Sequence, residues 1–206
     1  QPTLEEIINE INKRIDKLKI SEREKINEKT RAEIAFTNFY NQRRNIFKTP
    51  AKSEVKFRKI MLDNGILIDG NIDRIEINDE DKTIEIVDFK TGNISQKDSF
   101  KNKTKLHKYE IQLYFYKLLL NNSPEYAKYK VNTGRLEFIE GDERYKTPII
   151  KSLNFNQEPE DRVKQLIAAL DKKLKAFDFK NIENLPNVTV SDLIKFENQI
   201  IDETQR

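Results

Sequence analysis

Three side chains within "GNIDRIEINDEDKTIEIVDFKTG", residues 70–92, have the types and spacing to do chemistry together: Asp73, Asp88 and Lys90. With a turn centred on Glu80 and Asp81 the segment closes as a β-hairpin, in which Ile77 opposes Ile84, Ile75 opposes Ile86 and Asp73 opposes Asp88. Opposed residues have Cβ atoms about 4.5 to 5.5 Å apart, where like charges destabilise the pair. A divalent cation between the carboxylates reverses that sign, because hard ions such as Mg2+ take one or two carboxylates with water and phosphate oxygens. Side chains alternate along a strand, so Lys90 returns to the same face two positions beyond Asp88. The plainer alternative is a solvated acidic hairpin end with Arg74 nearby, and a one-residue slip in register would put the aspartates on opposite faces.

Holding these groups takes a sheet, and the hydrophobic periodicity supplies one. "EVKFRKIML", "GILIDGNIDRIEI" and "TIEIVDFK" read as three antiparallel strands separated by "DNG" and "NDEDK" turns. Two helices come first. Leu4, Ile7, Ile8, Ile11, Ile15 and Leu18 recur at helical spacing, and Ser21 with Glu24 looks like a capping box opening a second helix that runs to about Phe47. After Gly92 a polar stretch to about Thr104 reads as a loop, and "KLHKYEIQLYFYKLLLNN" as a helix. Residues 131–140 and 146–155 alternate like two further strands, 159–178 form an amphipathic helix, and "VSDLIKFENQIID" a short terminal one. The order predicts an α/β fold, a central mixed sheet flanked by helices, with an N-terminal helical hairpin. We expect one domain over 1–206: N-terminal helices at 1–47, a core at 54–180 and a C-terminal helical tail at 181–206.

Bulk composition excludes more than it assigns. Of the 206 residues 35% are charged, yet the formal net charge is only +3, so nucleic-acid binding would need a local basic patch. The chain has no cysteine and one histidine, which removes disulfides, thiol nucleophiles, iron–sulfur clusters and histidine-rich metal centres. No apolar run reaches the roughly 18 to 20 residues of a membrane span, so an intracellular, cytoplasmic protein is expected. The chain starts at Gln1 rather than Met, which fits a processed chain or a piece of a larger one.

On these residues the chain resembles the PD-(D/E)XK nuclease superfamily, and within it the RecB-like branch. "GNIDRI" supplies an aspartate on one strand, "IVDFKTG" a D-x-K on the next, and "QLYFY" a Q-x-x-x-Y on the helix that follows. The resemblance implies a restriction-endonuclease-like core. It implies that Asp73 and Asp88 bind Mg2+ or Mn2+ with the Phe89 backbone carbonyl as a further ligand, and that Lys90 sits beside the attacking water and the scissile phosphate. Gln112 and Tyr116, four apart on one helical face, would line the site, although Tyr116 among Leu113, Phe115 and Leu119 also fits a core position. RecB-like nucleases place a histidine seven residues ahead of an aromatic position on an early helix. Here, in "RAEIAFTNFY", seven residues before Tyr40 stands Glu33. It shares a stripe with Phe36 and Tyr40 and is expected to face inward, as a metal ligand or as a rim glutamate paired with a lysine.

Lys97, Lys101, Lys103, Lys105 and Lys108 fall in "KDSFKNKTKLHK", between the D-x-K strand and the Q-x-x-x-Y stretch, where they could meet DNA phosphates, with Phe100 stacking on a base, or simply be solvated. His107 in that stretch is expected to touch DNA or nothing, and Glu54 to be an acid at a family position or an ordinary strand residue. The resemblance implies a metal-dependent deoxyribonuclease, an exonuclease leaving 5′-phosphates, acting on single strands or duplex ends in repair or recombination. The partner it suggests is a superfamily 1 helicase of the UvrD, RecB or AddA type. No G-x-x-x-x-G-K-[ST] loop is present, so any motor lies elsewhere. The rival is a non-catalytic DNA-binding scaffold with a nuclease fold in a helicase complex.

Overall fold

The computed structural model describes residues 2–45, 50–91, 100–141, 148–178 and 189–205. Five strands, β1 (Ala51–Met61), β2 (Leu67–Asn78), β3 (Thr83–Lys90), β4 (Lys130–Phe138) and β5 (Ile149–Asn154), form one sheet in that order. The first three make the expected meander, β1 with β2 and β2 with β3 both antiparallel. The Lys130 and Ile139 amides donate to the carbonyls of Lys82 and Lys90, so the start of β4 meets the start of β3 and the end meets the end. That makes the two strands parallel, and the crossover such a pair requires is supplied by α3 (Phe100–Asn121). The Phe155 amide donates to Asn132 O, which runs β5 back antiparallel along β4. The sheet is therefore mixed, as expected, with helices flanking it.

The backbone divides into two compact units: Gln1–Lys48, Phe89–Lys97 and Leu136–Lys151 in one, and Thr49–Asp88, Asp98–Arg135 and Ser152–Arg206 in the other. The first holds the N-terminal hairpin, α1 (Leu4–Asp16) and α2 (Glu22–Arg43). Both helices open on capping boxes, Thr3 with Glu6 and Ser21 with Glu24, whose side chains satisfy amides that the first turn leaves without partners. Lys29 Nζ of α2 lies 2.6 Å from Asp16 Oδ1, tying the hairpin. In this unit Arg43 donates to Glu137 at 2.6 Å, with the Glu137 side chain fully buried. Such a pair adds little net stability, but removing either half is costly.

The second unit carries the meander, α3, α4 (Gln157–Lys175) and α5 (Val190–Gln205). Ile72, Ile75, Ile84, Ile86 and Val87 from the strands and Leu113, Leu118, Leu119 and Leu120 from α3 are fully buried. Glycines let the helix come close. A Cβ on Gly70 would stand 2.5 Å from Leu119 Cδ1, and one on Gly134 would stand 3.4 Å from Leu113 Cδ1. Helix α4 joins α5 through Ala169, Ile200 and Ile201, with Leu166 and Phe196 packed against them.

One boundary differs from expectation. Helix α3 begins at Phe100, so Phe100 to Thr104 are helical rather than part of a loop. Nothing from Phe100 to Thr104 is glycine or proline, and extending a helix already nucleated by its apolar C-terminal half costs little per residue. Among the described residues, no helix is long and apolar enough to cross a membrane.

Candidate active site

The hairpin register is the expected one. Asn78 pairs with Thr83, Ile77 with Ile84, Ile75 with Ile86 and Arg74 with Val87, and one step further along this register lie Asp73 and Asp88. The apolar pairs drive the register: slipping it by one would turn Ile75 and Ile86, both 0% exposed, out of the core. Asp88 is consequently carried into the interior at 2% exposure, while Asp73 is half-buried. The opposite face of the hairpin carries an ion network in which Arg135 donates to Glu85 and, at 2.8 Å, to Glu76, while Arg74 reaches Glu76 at 3.2 Å. Arg74 is thereby engaged with Glu76.

Helix α3 brings a polar edge to the aspartates. Gln112 Nε2 donates to the Tyr116 hydroxyl at 2.7 Å, as their one-turn spacing allows. Tyr116 is 7% exposed, and its phenol is pushed up to about 12, first by burial and then by the charge of Asp88, with Asp73 adding to the rise and the Gln112 hydrogen bond opposing it. Both carboxylates thus act on one hydroxyl. Tyr109, two turns earlier, is raised for the same two leading reasons, burial and then Asp88. Of the two carboxylates Asp88 is buried and Asp73 half-buried. Two aspartates in such a place fit a hard divalent cation completed by water and phosphate oxygens. Among the described residues no three His, Asp or Glu side chains form a metal-holding group, so the carboxylate pair is the protein's side-chain contribution that can be named.

The other residues singled out from the sequence fall as follows. Lys90 is half-buried at the end of β3, where alternation returns it to the face of Asp88. Phe89 lies between them and meets Phe39 edge-on, ring centroids 6.0 Å apart. Glu33 corrects an expectation: it is exposed on α2, and the inward residues are Ala35, Phe39 and Arg43. The inward stripe is set by the aromatic and arginine side chains instead. Glu54 is exposed on β1.

Lys97 lies outside the described residues, as does the side chain of Lys101. Lys103 and Lys108 are exposed on α3, and Lys105 is half-buried with its ammonium 5.8 Å from the Tyr109 ring centroid. Lys101 and Lys103 therefore sit on a helix rather than a loop, as expected of Lys105 and Lys108, and the stacking role given to Phe100 loses its loop. His107 is not a spare residue either, since Nε2 stands 2.9 Å from Glu197 Oε1. The sequence reading missed Tyr109, the Arg43–Glu137 pair and the Arg135 network. Only Tyr109 was within reach, lying one turn ahead of Gln112 on the same stripe.

A family model for the PD-(D/E)XK nuclease superfamily matches residues 2–189, and the chain belongs to that superfamily. No curated protein matches the chain. The crystal structure of SSO0001 aligns over 89% of this chain and 91% of its own, at 14% identity and a TM-score of 0.40, a likeness too loose to carry an argument. Membership in a nuclease superfamily points to nuclease activity on DNA, usually with a divalent metal such as Mg2+.

Proposed function

We propose that the chain is a metal-dependent deoxyribonuclease domain that hydrolyses DNA phosphodiester bonds at the hairpin end defined by Asp73 and Asp88. The observation that carries this reading is a hairpin register that runs on to Asp73 and Asp88, with Asp88 buried, both charges raising the Tyr116 phenol, and Lys90 two residues along the same strand. Asp73 and Asp88 would hold Mg2+ or Mn2+, with the Phe89 carbonyl as a further oxygen. When bound, such an ion acidifies water and offsets charge on the phosphate. Lys90 orients the attacking water and stabilises negative charge developing on phosphate oxygens. Gln112, by bonding the Tyr116 hydroxyl, fixes the polar edge of α3 against the carboxylates.

The Q-x-x-x-Y pair standing beside the aspartates supports the RecB-like branch, and with it a role in repair or recombination alongside a helicase. Glu33 remains a third ligand on the resemblance alone. Exonucleolytic action on single strands or duplex ends, with Lys101, Lys103, Lys105 and Lys108 on backbone phosphates, completes the proposal.

The test is cleavage of end-labelled single- and double-stranded DNA with Mg2+, with Mn2+ and with chelator. Cleavage that needs either metal is expected. DNA binding with no cleavage under both metals would instead favour the scaffold reading.

A further inference from the structure

Helices α3, α4 and α5 line a half-open pocket of about 350 Å3 within the second unit, whose residues take no part in the site above. That volume is near the lower end of the roughly 300 to 1,000 Å3 of small-ligand pockets. Its walls include Ile111, Val163, Leu166 and Ile194, and its polar residues are His107, Glu110, Glu158, Arg162 and Glu197. Glu197, 8% exposed, is committed internally: Oε1 lies 2.9 Å from His107 Nε2 and Oε2 accepts from Arg162 at 2.9 Å. Arg162 also donates to the Ile194 carbonyl at 3.2 Å and to Asn198.

Glu110 and Glu158 are different, because neither makes a hydrogen bond or ion pair among the described residues. Three carboxylates face one guanidinium and one imidazole, so the lining stays net negative whether or not His107 carries a proton. Glu110 and Glu158 are both exposed at the mouth of the pocket, but partial burial raises the Glu110 carboxyl from its ordinary value, with His107 opposing the rise. A cation arriving beside it would relieve that cost.

We propose that this cavity binds an ammonium or guanidinium group on an aliphatic stem, with the stem along Ile111, Val163 and Leu166 and the head between Glu110 and Glu158. Long cationic side chains and polyamines share this chemistry, an apolar stem under a hydrated charge. The binding is independent of the nuclease reading, since it uses neither aspartate nor Lys90.

His107 is the only histidine, so its ring signals in an NMR spectrum report on the cavity without ambiguity. The full chain is titrated with hexylamine, hexanol and hexanoate, then with spermidine and with the amide of Nα-acetyl-lysine. Hexylamine is expected to shift the His107 signals saturably and more tightly than hexanol, with hexanoate silent. Glu110→Gln with Glu158→Gln should weaken hexylamine about tenfold, from two partly exposed charge contacts. Tighter binding of spermidine assigns the site to free polyamines, and tighter binding of the lysine derivative assigns it to a partner's side chain. No saturable shift with hexylamine, equal affinity for hexylamine and hexanol, or an unchanged affinity in the double variant overturns the proposal.

Discussion

Tyr116 shows how a single residue can report on a site. Its phenol loses a proton less readily when folded than in the unfolded chain, from an ordinary value of 10.0 to about 12, because burial and the two aspartate charges oppose a second negative charge. The stabilisation linked to this is fully present below pH 10 and is lost as pH rises to about 12, amounting to about 3 kcal/mol. Tyr116→Phe, which has no proton to lose, should therefore lose less stability than the parent between those pH values in urea titrations. Parallel curves for the two proteins would mean that the phenol is not held in the field of the aspartates. The alternative that Tyr116 is merely a core aromatic is half right: its ring is buried, yet its hydroxyl is bonded to Gln112.

At the scale of the element, the hairpin and α3 explain what was legible in the sequence. Alternating isoleucines set the register of β2 and β3, and the sequence pattern alone points Asp73 at Asp88, one step beyond the Arg74–Val87 pair. The four-residue step from Gln112 to Tyr116 needed only helical geometry. What could not be read was long-range. Arg43 and Glu137 are 94 residues apart in the chain, and no local pattern announces their meeting. The inward turn expected of Glu33 failed because the helix rotates to bury Ala35, Phe39 and Arg43 instead. The start of α3 failed because polar residues with adequate helix propensity look like a loop when scanned for apolar periodicity. Gly70 tests the packing of α3 on β2 directly. Gly70→Ala would press a methyl to 2.5 Å from Leu119 Cδ1 and 3.2 Å from Phe115 Cε1, and Leu119 is 0% exposed with little space to yield. A loss of about 1 to 3 kcal/mol in chemical denaturation is expected. No loss would mean that helix and strand are not in close contact there.

At the scale of the molecule, the superfamily match over residues 2–189 draws on residues of both compact units and reaches well beyond the hairpin. An ion held by the proposed Asp73 and Asp88 pair would bind the folded chain and not the unfolded one, and so stabilise the fold. Mg2+ or Mn2+ at a hundredfold excess over its dissociation constant should stabilise the protein by about 2.7 kcal/mol, read as a rise in Tm. Asp88→Asn should abolish that rise. An identical metal-induced rise in the parent and in Asp88→Asn would place the ion somewhere else.

The central claim is that Asp88 and Lys90 perform phosphodiester hydrolysis, and it is tested most directly by single-turnover cleavage of labelled DNA in Mg2+ or Mn2+. The parent is compared with Asp88→Asn and Lys90→Ala after DNA affinity has been matched in chelator. The account predicts that each substitution lowers the cleavage rate by at least about a hundredfold while leaving DNA affinity within a fewfold of the parent. Undiminished cleavage in either variant, or none in the parent with both metals, would contradict it.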